Sequence, residues 1–280
     1  MPIETIHTQS PGCKRFLRDM QNAEPLREFT QTPPSTDDAQ WPNTTLVMMT
    51  KYPTPGRVKT RLGCEIGMER AAELHELFTR HLSDQLASAG DQRVIALTPD
   101  SYLARFEGDL DNLDWQLTGQ GGGDLGDRMA RLFQTYLNEH RGPVRVVLTG
   151  TDCPLLTDRE IADAAEKLLD NDIVVGPAID GGYYLIGIRS PWKDAYAALF
   201  SEIPWGTRDV FTTTKQRVSA AELSLAVLPL KADIDTTEDL GRFCAHLEAS
   251  RHSSPLLAEL CDHVNAILGV GESETRETHP

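Results

Sequence analysis

"VRVVLTGTDCPLLTD", residues 144–158, contains a strand, an acidic turn and a helix start in one short stretch. The Val- and Leu-rich stretch over 144–150 reads as the clearest strand of the chain, in a sheet covered on both faces. Asp152 then places a carboxylate at the carboxyl end of that strand, and Pro154 stiffens the turn. An Asx turn would put an acid there for capping alone. Thr157 and Asp158 lie nearer the helix start and can cap it, which leaves Asp152 available for a ligand.

Working outward, the same alternation repeats. "TLVMMT" (45–50), "RVIALTP" (93–99) and "DWQLTGQ" (114–120) read as strands. "GMERAAELHELFTRHLSDQLASAG" (67–90) carries Ala71, Leu74, Leu77, Phe78, Leu82 and Leu86 at helical spacing and stops at Gly90. "DLGDRMARLFQTYLNEH" (124–140) is a second helix. Beyond the central stretch, "DIVVGPA" (172–178) and "YYLIGI" (183–188) are joined by a link too short for a crossover helix, which predicts an antiparallel pair. Helices over 207–222, 236–250 and 254–268 and a strand over 223–229 complete the pattern. The expectation is an α/β fold: a mostly parallel, mixed sheet with helices on both faces. Ligands on such sheets bind outside the carboxyl ends of the strands, so the loops after residues 50, 150, 178 and 230 should neighbour one another.

The domain implied runs over 44–269. Residues 1–43, polar and proline-rich around "FTQTPPSTDDAQWPN", read as a poorly ordered extension, and 270–280 as a disordered tail. The five cysteines are scattered without a C-x-x-C, which points to reduced thiols. A formal net charge of -15 argues against nucleic acid or an anionic membrane as the main partner. No run has the length of a membrane span and no signal-peptide core is evident, so a cytoplasmic location is expected.

Against that acidic background, "KYPTPGRVKTRL" (51–62) gathers Lys51, Arg57, Lys59 and Arg61 directly after the first strand. Cations and main-chain N–H groups at a strand's carboxyl end suit a diphosphate. Gly56 admits close approach by the main chain, and Pro53 and Pro55 limit the entropy lost on ordering. The alternative is a solvated basic loop paired with surface acids. No Walker A pattern is present.

"DIDTTEDL" (233–240) holds Asp233, Asp235, Glu238 and Asp239. Taken alone it reads as a capping box, and Asp235 becomes a metal ligand only if its loop faces Asp152. "AIDGGYYLIG" (178–187) sets Asp180 before Gly181, Gly182 and Tyr183. Paired glycines beside an acid suit a sugar or an acceptor, or simply a tight turn. "GGGDLG" (121–126) matches a dinucleotide fingerprint, but no ribose-binding acid follows at the required distance, and the match is rejected.

These motifs, with "GDLGDRM" and "IPWGT", stand in the order found in the domain-of-unknown-function 2064 proteins, which the chain resembles over residues 45 to about 245. That family is regarded as glycosyltransferases of the GT-A, nucleotide-diphospho-sugar transferase superfamily, some linked to arsenosugar biosynthesis. The resemblance implies a Rossmann-like GT-A fold and Mg²⁺ or Mn²⁺ shared by Asp152 and Asp235. Thr237 stands where the family's motif usually has proline. Lys59 and Arg61 are implied as the main phosphate-holding cations, and Asp124 and Arg128 as contacts to base or ribose. Asp180 is a candidate general base, with Gly181, Gly182, Tyr183 and Trp205 on the sugar or acceptor side. For Tyr183 and Trp205 ordinary core or lid packing is an equal alternative.

The function this implies is metal-assisted glycosyl transfer from a nucleotide-diphospho-sugar to a small-molecule acceptor. Two alternatives remain at this stage. One is nucleotidyl transfer from an NTP to a sugar phosphate or phospho-hydroxy acid, since 2-phospholactate guanylyltransferases look similar in the first loop. The other is a nucleotide-binding module without chemistry.

Overall fold

The computed structural model describes residues 43–109, 114–138 and 143–270. Apart from Asn43 and Val270, the extension and tail expected at the two ends lie outside the described residues. The chain divides into two compact units. The described part of the first comprises Pro53–His81 and 234–270; that of the second comprises 43–52 and, outside the gaps named above, Leu82–Asp233.

The second unit is built on one seven-stranded sheet. Its strands are β1 (Thr44–Lys51), β2 (Gln92–Thr98), β3 (Gln116–Gly119), β4 (Arg145–Thr149), β5 (Ile173–Pro177), β6 (Tyr183–Arg189) and β7 (Leu225–Val227). They lie in the order β3-β2-β1-β4-β6-β5-β7. β6 runs antiparallel to both of its neighbours, and the other pairs are parallel. The expected mixed sheet is therefore found, with its antiparallel strand inserted between β4 and β5.

Alternating side chains leave the sheet on opposite faces. Leu46, Met48, Ile95 and Leu97 pack into one core, and Val47, Val94 and Ala96 into the other. Leu156, Ile161, Ala164 and Leu168 from the helix Asp158–Lys167 and its flanks line the first core. The second is covered by Met129, Leu132, Phe133, Tyr136 and Leu137 of the helix Leu125–Asn138. Helices thus cover both faces, as the apolar strands require.

The first unit is helical: α1 (Thr60–Ile66), part of α2 (Met68–Gln85), α8 (Thr237–Ser250) and α9 (Pro255–Leu268). The intervening helices are α3 (Leu103–Asp109), α4 (Leu125–Asn138), α5 (Asp158–Lys167), α6 (Asp194–Ala197) and α7 (Val210–Ala220). Phe78 and Phe243 meet edge to face at 5.5 Å in the first unit. The helix expected from residue 67 is α2, and the structure adds a shorter helix before it. α1 starts at Thr60, and Gly67, at φ 100, breaks it from α2. Arg61 therefore belongs to a first helical turn and not to the loop.

Among the described residues no helix is long and apolar enough to cross a membrane. The four described cysteines, Cys64, Cys153, Cys244 and Cys261, are free thiols.

Candidate active site

The basic stretch begins where β1 ends, with Lys51 exposed. A turn closes as Arg57 N donates to Thr54 O at 2.9 Å. Gly56 adopts φ 75, and a Cβ there would meet nothing within 4 Å. Glycine is needed at Gly56 for its backbone conformation, and the space beside its main chain is open. Lys59 also adopts a left-handed conformation, φ 42 and ψ 45, which a non-glycine residue holds only at a cost of order 1–3 kcal/mol.

The Lys59 side chain is held by contacts within the first unit. Lys59 Nζ donates to Ile234 O at 2.8 Å and lies 5.2 Å from the centre of the Phe78 ring. One residue on, Asp235 Oδ2 stands 3.7 Å from Arg61 Nη1. Thr237 Oγ1 donates to Glu65 Oε2 at 2.9 Å. The first unit thus folds the basic stretch and the acidic "DIDTTEDL" stretch onto each other.

The capping reading of the acidic stretch is accounted for without Asp235. Thr236 is the N-cap of α8 and accepts from Asp239 N, while Asp239 Oδ2 accepts from Thr236 N at 2.9 Å. The helix therefore does not draw on the Asp235 carboxylate for its cap, and that carboxylate is half-buried beside an arginine.

In the second unit, β4 and β1 are parallel neighbours, so their carboxyl ends emerge side by side. Asp152 is exposed between buried Thr151 and Cys153. The cap of α5 is closed by Glu160, whose Oε2 accepts from Thr157 N at 2.9 Å and Oγ1 at 2.6 Å. Asp152, like Asp235, is thus not the residue that caps the next helix.

The Asp180 turn is tightly specified. Asp180 Oδ1 accepts from Gly182 N at 2.7 Å, and Gly181 O accepts from Phe211 N at 2.9 Å. Gly181 adopts φ 94, and a Cβ there would lie 2.2 Å from Arg208 O. Here glycine is demanded twice, by conformation and by contact. Tyr183 and Trp205 meet edge to face at 6.3 Å and pack against the second core. Among the described residues, the Tyr183 hydroxyl, Trp205 Nε1 and Thr214 Oγ1 are buried and meet no partner at full hydrogen-bond geometry. Burial pushes the Tyr183 phenol above its ordinary range, and Thr214 lies beside it. The packing accords with the core alternative for these two rings.

Asp124 and Arg128 lie at the start of α4. Asp124 Oδ1 accepts from Asp127 N at 2.9 Å, and Asp127 Oδ2 accepts from Asp124 N at 3.0 Å, a reciprocal cap. Arg128 Nη1 reaches Gln120 Oε1 at 3.3 Å. Gln120, buried, donates from Nε2 to Thr50 O at 2.9 Å and Ala96 O at 2.8 Å. It joins the ends of β1 and β2 to the glycine loop. Sequence reasoning passed over Gln120, and its place between a strand end and three glycines was the available signal.

The structure therefore gathers the candidate residues into groups. Gly56, Arg57, Lys59, Arg61 and Asp235 belong to the first unit; Lys51, Asp124, Arg128, Asp152, Asp180, Gly181, Gly182, Tyr183 and Trp205 belong to the second. Among the described residues no three His, Cys, Asp or Glu side chains form a ready metal cluster. The donor chemistry nevertheless fits a hard cation. Neither the Asp152 nor the Asp235 carboxylate is the cap of the helix that follows it, and carboxylate oxygens are ordinary ligands of Mg²⁺.

A family model described as "uncharacterized protein conserved in bacteria (DUF2064)" matches residues 81–207. A solved structure from Desulfovibrio desulfuricans G20, provisionally named a nucleotide-diphospho-sugar transferase, is 32% identical, with a TM-score of 0.69 over 81% of this chain and 96% of that one. A cytidylyltransferase from Leptospira borgpetersenii is 13% identical over 84% of this chain and 99% of its own, with a TM-score of 0.46. Rv0371c from Mycobacterium tuberculosis H37Rv is 14% identical over 73% and 98%, with a TM-score of 0.44. Neither of the latter two bears on what this chain does. No curated protein matches it. The identity to the Desulfovibrio protein across nearly its whole length, together with the family-model match, shows that the chain belongs to the DUF2064 family.

Proposed function

We propose that this protein is a metal-dependent glycosyltransferase that uses a nucleotide-diphospho-sugar donor. The observation that carries the reading is the pairing of Arg61 with Asp235 at 3.7 Å beside the Lys59–Ile234 bond. A cation suited to phosphate and a carboxylate suited to a metal ion are brought together from distant parts of the chain. The provisional name of the Desulfovibrio relative supports the same chemistry.

In this reading Lys51, Arg57, Lys59, Arg61 and the open main chain at Gly56 hold the donor diphosphate. Fixed positive charge stabilises the negative charge that develops on the leaving group. Asp124 and Arg128 lie toward base and ribose. Asp152 in the second unit and Asp235 in the first are each candidate carboxylates for Mg²⁺ or Mn²⁺, which supplies further charge neutralisation at the diphosphate when bound. Asp180 takes the proton of the acceptor hydroxyl as that oxygen bonds to the anomeric carbon. The bond from that carbon to the diphosphate oxygen breaks, and the nucleoside diphosphate leaves. Gly181 and Gly182 form the tight turn that presents Asp180 to a small-molecule acceptor, with Tyr183 and Trp205 as the apolar backing of that side.

The test is a thermal-shift panel of nucleoside diphosphates, nucleotide sugars and NTPs, with and without Mn²⁺, followed by product analysis. A ligand bound only by the native state raises Tm. The expected result is a shift with a nucleotide sugar that requires Mn²⁺, is lost in Asp152→Ala, and is accompanied by release of nucleoside diphosphate. Pyrophosphate released from an NTP would replace glycosyl with nucleotidyl transfer. No shift with any nucleotide would overturn the proposal.

A further inference from the structure

Lys231 belongs to no motif, yet it is only 8% exposed. Its Nζ lies 2.7 Å from Glu160 Oε1. The other Glu160 oxygen closes the cap of α5, the helix that follows the Asp152 turn. Lys231 N donates to Pro177 O at 3.1 Å, and Lys231 O accepts from Ile179 N at 3.0 Å, at the end of β5. The next carbonyl, Ala232 O, accepts from Cys153 Sγ at 3.2 Å. Cys153 follows Asp152 and Ala232 precedes Asp233. This short segment of chain therefore joins the loops 150–157, 177–182 and 230–233, all within the second unit.

Stability is a weak reason for such a pair. Taking two charges out of water offsets most of their attraction, and apolar replacements of buried pairs are often neutral or stabilising. Burial opposes ionisation of Glu160, but Lys231 and Thr157 hold its carboxyl below the ordinary value.

We propose that Glu160 and Lys231 are positioning residues that fix the Asp152 turn against the Lys231–Asp233 segment of the same unit, and so the metal affinity that the Asp152 carboxylate contributes. The second clause rests on the metal-assisted reading above; the first does not. The pair touches no reacting atom and acts through the Asp152 turn it roots.

Glu160→Gln keeps an amide that can still close the capping box, and Lys231→Met keeps the stem. Lys231→Met alone strands a buried carboxylate and should lower Tm markedly. The double variant removes both charges and should return Tm to within a few degrees of the wild type. In that double variant, free of metal, amides of Thr151–Leu156 and Ala232–Asp233 should exchange about tenfold faster or more, whereas amides of α4 should not change. Lys231→Arg should retain the protection. Mn²⁺ titration followed by electron paramagnetic resonance should show about tenfold weaker binding in the double variant. Unchanged exchange in both segments overturns the positioning role. Faster exchange with unchanged Mn²⁺ affinity overturns the link to metal. Faster exchange in a protein whose wild type binds no Mn²⁺ upholds the positioning role and overturns the metal reading itself.

Discussion

Lys59 donates from Nζ to the carbonyl oxygen of Ile234 at 2.8 Å. This bond ties the basic stretch after β1 to the residue before Asp235. A hydrogen bond from a charged group contributes about 1.5–3 kcal/mol. Lys59→Met should therefore lower Tm by several degrees, and it should also weaken nucleoside diphosphate binding. Lys59→Arg should recover less of both, because the planar guanidinium is no substitute for a compact ammonium in a bond that also rests on the Phe78 face. Thermal denaturation with and without nucleotide reads the two effects separately.

Arg61 and Asp235 should behave in the opposite way. Their side chains are 65% and 35% exposed, and an exposed pair contributes about 0–1 kcal/mol. Arg61→Ala should leave Tm nearly unchanged while weakening nucleoside diphosphate affinity about tenfold. Asp235→Ala should abolish the part of that affinity that depends on Mn²⁺. Calorimetric titration in Mn²⁺ and in chelator would separate the two variants, and equal affinities for Arg61→Ala and the wild type would count against Arg61 as a phosphate ligand.

Two glycines provide a contrast in cost. Gly56→Ala meets open space and pays only for a left-handed backbone, about 1–2 kcal/mol. Gly181→Ala must in addition displace the Arg208 carbonyl. It should be the more destabilising change and should disturb the Asp180 turn, lowering kcat more than donor KM. Chemical denaturation of the two variants, with steady-state kinetics, checks the order.

Asp172 sets a pH dependence away from the candidate site. Burial opposes its charge, but Lys193 and the Ser224 amide and hydroxyl hold its carboxyl well below the ordinary carboxylate range. Lys193 Nζ is 2.5 Å from its Oδ1, and Ser224 Oγ donates to Oδ2 at 2.8 Å. The folded pKa lies below the unfolded value of about 3.9. The stabilisation is therefore present above that value and lost as pH falls through the interval beneath it. Asp172→Asn should lower Tm at neutral pH and flatten the decline between about pH 5 and pH 2. A parallel decline in variant and wild type would show that other carboxylates govern it.

What the sequence determined by itself was the local order. The strands β1, β2, β4, β5 and β6 fall within a residue or two of where apolar runs place them, because burial on both faces leaves a continuous apolar signature. The link over 179–182 forced β5 and β6 to be antiparallel, since it has no length for a crossover. Thr157 was legible as a cap because capping is a contact across three residues, whereas for the next acidic stretch the sequence showed a capping box without deciding between Asp235 and Thr236 as its cap. The start of α1 at Thr60 was hidden, since Gly63 and Gly67 interrupt its periodicity and the helix is too short to show a face.

Only the tertiary structure decided which distant residues meet. Lys59 with Ile234, Lys231 with Glu160, and Gln120 with Thr50 are separated by long stretches of chain. Such contacts have no period, so a lysine about to be buried reads like any surface lysine until the sheet brings its partner alongside. Folding likewise put the Tyr183 hydroxyl inside the packed second core, where the alternation along β6 alone could not have told a wall of the site from a wall of the core.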